Sequence, residues 1–157
     1  MKHLSAVIRF GFHLMLLSGG VMCGAADWRY YAATLQSAPG DGKSKAYFYD
    51  KDSIRKLHNG HTMLWTQSVV VEQAPDADKS RRDVSIAAYE QGLNALTLKP
   101  SAKVYYEIDC TWKKLRALGE LVYRADGSEE NHTQMAPYVP MAASPVLEGL
   151  GRLVCAP

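Results

Sequence analysis

The chain has 157 residues, with 18 Lys+Arg against 16 Asp+Glu and a formal net charge of +2. This length suits a single domain with a real core. The near-even charge balance gives no electrostatic case for binding nucleic acid.

Residues 1–26 read as a secretory signal peptide. Lys2 and Arg9 give a basic start, and Phe10 to Leu17 is an apolar run too short to span a bilayer. Gly24, Ala25 and Ala26 offer small residues for cleavage just before Asp27. Cleavage there leaves one domain, 27–157, of roughly 130 residues and without a transmembrane segment. It removes Lys2 and Arg9, so basic and acidic residues become equal in number. Cys23 leaves with the peptide. Met22 is too large for the position before an acylated cysteine, which argues against a lipoprotein signal. Cys110 and Cys155 then remain, and an even pair in an oxidising compartment reads as a disulfide. The alternative is a pair of reduced, buried thiols.

In the mature chain, Asp27 to Thr34 is aromatic-rich and suits a first strand. Pro39, Gly40, Asp41 and Gly42 mark a turn, and Lys45 to Asp50 reads as a second strand. Ser53 is expected to cap one helical turn over Ile54 to Leu57. Asn59-Gly60 is a tight-turn signal, followed by a long strand from His61 to Glu72. Gln73 to Lys79 is polar. Ile86, Tyr89, Leu93 and Leu96 recur at three and four residues and predict a helix, with Asp83 near its start and Pro100 beyond its end.

Lys103 to Trp112 and Leu115 to Arg124 read as strands, and Asp126-Gly127 as a hairpin turn. His132 to Val139 reads as a last, edge-like strand, interrupted by Pro137. Ser144-Pro145 is a helix N-cap followed by proline at the first helical position. Val146, Leu147, Leu150 and Val154 then form an apolar face ending at Cys155. The order predicts an α+β domain. It has a single antiparallel sheet of about five to six strands, a mid-chain helix, and a C-terminal helix tethered by the disulfide.

The chemistry-bearing residues are few. His58 and His61 flank the Asn59-Gly60 turn, with Asp50 and Asp52 upstream. Zinc needs three or four converging ligands, so an exposed hairpin tip is expected there rather than a metal site. Asp109 lies in a strand that reads as buried and needs a partner, for which Arg116 and Lys113 are the candidates. No nucleophile elbow, Cys-x-x-Cys, His-Glu-x-x-His or phosphate loop is present, so no catalytic residue and no cofactor is expected. Two basic clusters, Lys79 to Arg82 and Lys113 to Arg116, read as solvated surface. Asn131-His132-Thr133 matches the N-glycosylation triplet. Trp28, Tyr30, Tyr31, Tyr47, Tyr49, Trp65, Tyr105, Tyr106 and Trp112 fall on predicted strands, and alternation sends them to both faces. One face is core. The other is either covered or an aromatic binding face.

Several of these residues together carry a resemblance. Asp27-Trp28-Arg29-Tyr30-Tyr31 follows the signal peptide, and Tyr47-Phe48-Tyr49-Asp50 leads to Ser53-Ile54. Trp65 lies in the third strand, and Ile108-Asp109-Cys110 precedes Arg116. Tyr123 precedes Asp126-Gly127, and Pro140, Ser144 and Val154-Cys155 close the chain. The pattern resembles the surface-adhesin protein E-like family of Gram-negative secreted and envelope proteins over most of 27–157. The resemblance implies a sheet of about six strands, a C-terminal helix held by Cys110–Cys155, and a homodimer. It also implies an exported, non-enzymatic binding or adhesion module in the periplasm or at the outer surface, with an extracellular-matrix or envelope protein as partner. The competing expectation is a periplasmic domain that holds a small apolar or aromatic ligand between helix and sheet.

Overall fold

A computed structural model describes residues 26–35, 43–72 and 79–156. Most of the expected signal segment, Cys23, the turn around Pro39 and most of the Gln73 to Lys79 stretch lie outside the described residues.

The elements run β1 (Trp28–Leu35), β2 (Lys43–Asp50), β3 (Arg55–Lys56), β4 (His61–Glu72), α1 (Lys79–Asn94), β5 (Ala102–Asp109), β6 (Lys114–Tyr123), β7 (Glu129–His132), β8 (Val139–Pro140) and α2 (Pro145–Val154). All strand pairs are antiparallel, and the sheet order is β1-β2-β4-β5-β6-β7. β3 pairs with β4, and β8 with β6. The architecture is the expected antiparallel α+β sheet with a mid-chain and a C-terminal helix. Among the described residues, however, the sheet has eight strands rather than five to six.

The two extra strands are two residues each and replace other expectations. The helical turn over Ile54 to Leu57 does not form. A short 3-10 turn, Lys51–Ser53, is capped by Asp50, whose Oδ1 accepts from the Asp52 N–H at 3.1 Å. The Ser53 hydroxyl accepts from the Trp65 N–H at 2.9 Å, so it closes a gap beside β4 instead of capping a helix. Arg55–Lys56 then runs extended to the Asn59-Gly60 turn, where Gly60 has φ +81°. The strand expected over His132 to Val139 is likewise divided. β7 ends at His132, the chain touches β6 through Ala136 N–H to Ala117 O at 2.9 Å, and pairing resumes at Val139–Pro140. Pro137 has no N–H to give to a ladder.

The two helices take opposite sheet faces. Leu93 packs with Trp28, Ala46, Phe48 and Val69, joined by Tyr30, Tyr89 and Leu98. Leu150 packs with Leu64, Ile108, Leu115 and Met141, joined by Tyr31, Tyr49, Tyr106, Leu147 and Val154. Helix α1 ends two residues earlier than its apolar pattern suggests. Leu96 takes φ +57°, the Thr97 N–H bonds Gly92 O at 2.9 Å, and Leu96 is left 85% exposed. This is a left-handed C-cap, which turns the residue away from the helix face.

Helix α2 begins as expected. The Ser144 side chain accepts from the Leu147 N–H at 3.2 Å, with Pro145 at the helix start. It ends at Cys155, bonded to Cys110 with Cα atoms 5.4 Å apart. Cys110 and Trp112 lie in the turn after β5 rather than on the strand. The bridge pins the end of α2 to the end of the sheet.

Both sheet edges are protected. Along β1, the Trp28 and Tyr30 N–H groups donate to Asn94 Oδ1 and Glu90 Oε1 of α1, each at 2.7 Å. The opposite edge, β7, is short and carries Glu129, Glu130 and His132, a composition that resists strand addition.

Candidate functional site

Strand register decides which side chains share a face. Leu64, Tyr106 and Leu115 point to the α2 side, where they join the Leu150 cluster. The alternate residues of β4, β5 and β6 point to the α1 side. Helix α1 packs over Trp28, Phe48 and Val69, on β1, β2 and one end of β4. The other end of that face carries His61, Met63 and Trp65 on β4, paired with Asp109, Glu107 and Tyr105 on β5. Arg116 and Lys114 of β6 stand opposite Glu107 and Asp109.

Trp65 and Tyr105 stack across the β4–β5 pair, with ring centroids 4.7 Å apart and planes 27° from parallel. The centroid distance equals the strand spacing, so the rings stand up from the sheet side by side. Trp65 remains 39% exposed. On the next strand the partner of Tyr105 is Gly119, which has no side chain. A Cβ built there meets only His132 O, at 3.6 Å.

Beside the stack lies a charged network. His61 Nδ1 is 2.7 Å from Glu107 Oε1. A carboxylate only accepts, so Nδ1 carries the proton. The His61 Nε2 faces Asp109 Oδ2 at 3.6 Å. Arg116 Nε donates to Glu107 Oε2 at 2.7 Å, and its guanidinium lies 4.5 Å from the Tyr138 ring centre. Burial pushes the Glu107 carboxyl upward, but the hydrogen bonds from His61 and Arg116, the Arg116 charge and the Tyr138 hydroxyl outweigh it. The net effect holds Glu107 below the usual carboxylate range. Burial raises the Tyr138 phenol, and the Glu107 charge adds to it. The Lys114 ammonium sits 5.3 Å from the Tyr138 ring and 5.9 Å from Trp112, whose side chain is 74% exposed.

The opposite face carries a closed tyrosine group. Tyr31 lies 6.2 Å from Tyr47 and 6.4 Å from Tyr49 by ring centroid. Burial raises the Tyr31 phenol strongly, and it pushes Tyr106 up to about 12, with the Glu120 charge adding. Tyr31, Tyr49 and Tyr106 pack with the α2 cluster and serve the core.

The residues singled out in the sequence sort as follows. His58 and Asn59 form the exposed hairpin tip, while His61 turns inward to Glu107. Asp50 caps the 3-10 turn, its Oδ1 also accepting from the Asp27 N–H at 3.1 Å, so Asp50 and Asp52 do not join the histidines. Among the described residues no three His, Cys, Asp or Glu side chains form a metal-holding group. The partner expected for Asp109 is corrected. Arg116 serves Glu107, while Asp109 faces His61 and accepts from the Trp112 N–H at 3.0 Å. Lys113 occupies the turn at φ +49°. Asn131-His132-Thr133 lies at the exposed β7 edge. The Lys79 to Arg82 and Asp83 side chains lie outside the described residues.

Sequence reasoning missed Glu107, Tyr138 and the placing of Gly119 opposite Tyr105. Glu107 alternates with Asp109 on one strand, a pattern that placed two acids on the same face.

A hollow beside α1 is lined by Ala88, Tyr89, Gly92, Thr97 and Leu98, at the helix C-terminal turn. Among the described residues no helix is long and apolar enough to cross a membrane. Comparison with protein-family models, curated proteins and solved structures finds no match for the chain.

Proposed function

We propose that this chain is an exported, non-enzymatic binding module of a Gram-negative envelope, of the surface-adhesin protein E-like kind. It works in the periplasm or at the outer surface once residues 1–26 are removed. Its partner is an extracellular-matrix or envelope protein, and it needs no cofactor.

The observation that carries this reading is the stack of exposed Trp65 on half-buried Tyr105, beyond the part of the sheet that α1 packs over. Large rings held at low entropy cost are effective anchors for a protein partner. The neighbouring His61, Glu107 and Arg116 satisfy one another within the chain, which suits a rigid rim rather than proton transfer. The Cys110–Cys155 bridge agrees with an oxidising compartment.

The test is retention of solubilised envelope proteins and of matrix proteins on the immobilised chain. Trp65→Ala is expected to weaken retention at least about tenfold, the effect of losing an interface anchor. Retention no better than on an unrelated disulfide-bonded protein, or equal retention by Trp65→Ala, would refute the reading.

A further inference from the structure

Two turns at one end of the sheet gather cations without acids. His61 of β4 pairs with Asp109 of β5, so the Leu57–Gly60 turn and the Cys110–Lys113 turn lie side by side. No acidic residue occurs from Ser53 to His61 or from Cys110 to Arg116. Arg55, Lys56, Lys113 and Lys114 stand there, and among the described residues none of these cations makes an ion pair. Arg55 donates to backbone oxygens, Asp52 O at 2.9 Å and Ile54 O at 3.1 Å, and keeps its charge. The neighbouring carboxylates are occupied. Glu107 takes His61 and Arg116, Asp109 takes the Trp112 N–H, and Asp50 takes the Asp27 and Asp52 N–H groups. Asp52 is the remaining exposed acid and offsets a single positive charge.

Each turn also shows water an apolar side chain, Leu57 at 37% exposure and Trp112 at 74%. The Trp112 turn is held in place. Its Trp112 N–H donates to Asp109 Oδ1 at 3.0 Å, and Cys110 within it is bonded to Cys155. The Lys114 ammonium is directed to the Trp112 and Tyr138 rings, 5.9 and 5.3 Å from their centres. The cations left for solvent are Arg55, Lys56 and Lys113, all exposed. An indole held out into water beside uncompensated cations has the composition of a membrane-interface anchor.

We infer that this end of the sheet docks on an anionic phospholipid bilayer. Trp112 and Leu57 enter the headgroup layer, and Arg55, Lys56 and Lys113 meet the lipid phosphates. Attraction of such cations to an anionic leaflet adds to the burial of the two apolar side chains. The apolar groups project from hairpin turns rather than line a groove, and a fluid headgroup layer moulds itself to projecting side chains. That favours lipid over a folded acidic protein. The inference goes beyond the protein-binding reading above and does not rest on it, because Trp65 and Tyr105 lie along the strands and not in these turns.

The experiment is co-sedimentation of the purified protein with vesicles of phosphatidylglycerol and phosphatidylethanolamine, against vesicles of phosphatidylcholine alone. Pelleting with the anionic vesicles is expected, falling steeply as salt is raised. Trp112→Ala should weaken it at least about tenfold, the effect of losing one buried apolar anchor. The double variant Lys56→Glu, Lys113→Glu should weaken it by a similar factor, since each cation near such a surface contributes about fivefold. These side chains are exposed, so thermal melts of the variants should match the parent. Leu96→Ala trims another exposed apolar side chain, on the loop after α1, and should leave pelleting unchanged. Brominated lipid should quench the tryptophan fluorescence of the parent, and Trp112→Phe should remove that quenching. Absence of pelleting with anionic vesicles, equal pelleting with phosphatidylcholine, or pelleting unaffected by Trp112→Ala would overturn the inference. So would quenching that survives Trp112→Phe. Retention on immobilised polyglutamate without vesicle binding would assign the cations to an acidic protein and overturn it as well.

Discussion

Asn94 holds both backbone groups of Trp28. Its Oδ1 accepts from the Trp28 N–H at 2.7 Å, and its Nδ2 donates to the Trp28 carbonyl at 3.4 Å. One side chain from α1 thus does for the edge of β1 what a neighbouring strand would do. Glu90, four residues earlier on the helix, repeats the service at the Tyr30 N–H. Helix α1 consequently covers an apolar patch and blocks a sheet edge with the same turns.

Asn94→Ala should therefore cost more than an ordinary surface change. Trp28 is only 5% exposed, so its N–H would be left without a partner in a nearly dry setting. The expected loss is about 1–3 kcal/mol, read by urea denaturation. The uncovered edge should also promote self-association on size-exclusion chromatography. A variant as stable as the parent and of the same oligomeric state would show that the clasp is incidental.

Cys155→Ser tests the staple. The bridge closes a loop of sequence separation 45. In the chain-entropy model, losing it costs roughly 4 kcal/mol. Helix α2 has ten residues, too few to be stable alone, so it depends on packing and on this tether. Lower thermal stability and faster amide exchange in α2 are expected. Equal melting of variant and parent in oxidising buffer would remove the bridge from any account of stability.

Glu107 sets a pH dependence. Its carboxyl is held below the usual range in the folded chain, so the folded state prefers the charged form more than the unfolded state does. That contribution is fully present above the unfolded value, about 4.3, and is lost as pH falls through the lowered folded value. Glu107→Gln should flatten this acid limb. At neutral pH it should cost about 2 kcal/mol, less than for a fully buried pair because Arg116 reaches solvent. An unchanged acid limb in urea melts from pH 6 to pH 2 would refute the assignment.

The parts of this fold that were legible in the sequence are those coded locally. Ser144-Pro145 marks a helix start because a hydroxyl and a proline act within one turn. Asn59-Gly60 and Asp126-Gly127 mark turns because Gly60 and Gly127 adopt positive φ. Cys110 and Cys155 needed only the count of cysteines and an assumed compartment. The polar network was not legible for a different reason. His61 and Glu107 meet across 46 residues, through a register that alternation alone leaves open. Arg116 had two carboxylates to choose from, and the strand pairing, not the spacing, gave it to Glu107. Two-residue strands such as Arg55–Lys56 have no periodicity to read. The place of Gly119 opposite Tyr105 is likewise a product of register, since a glycine in a strand has meaning only beside its partner.

Gly151 offers a last test, of how α2 is seated. It is buried on the helix, and a Cβ there would overlap Met141 Sδ and lie 3.2 Å from Met141 Cγ. Met141 cannot easily yield, because it is 7% exposed and packed with Leu64, Ile108, Leu115 and Leu150. Gly151→Ala gains about 1 kcal/mol of helix propensity, yet overpacking of this kind costs about 1–3 kcal/mol. A net loss of about 1 kcal/mol is expected, against the direction that propensity alone predicts. Met141→Ala should cost about 2–5 kcal/mol by leaving a cavity. In the double variant the new Cβ partly occupies that cavity, so the two losses should fall short of their sum by at least about 0.5 kcal/mol in a urea-melt cycle. Strict additivity would mean that Met141 moves aside freely and that Gly151 does not set the depth at which α2 packs on the sheet.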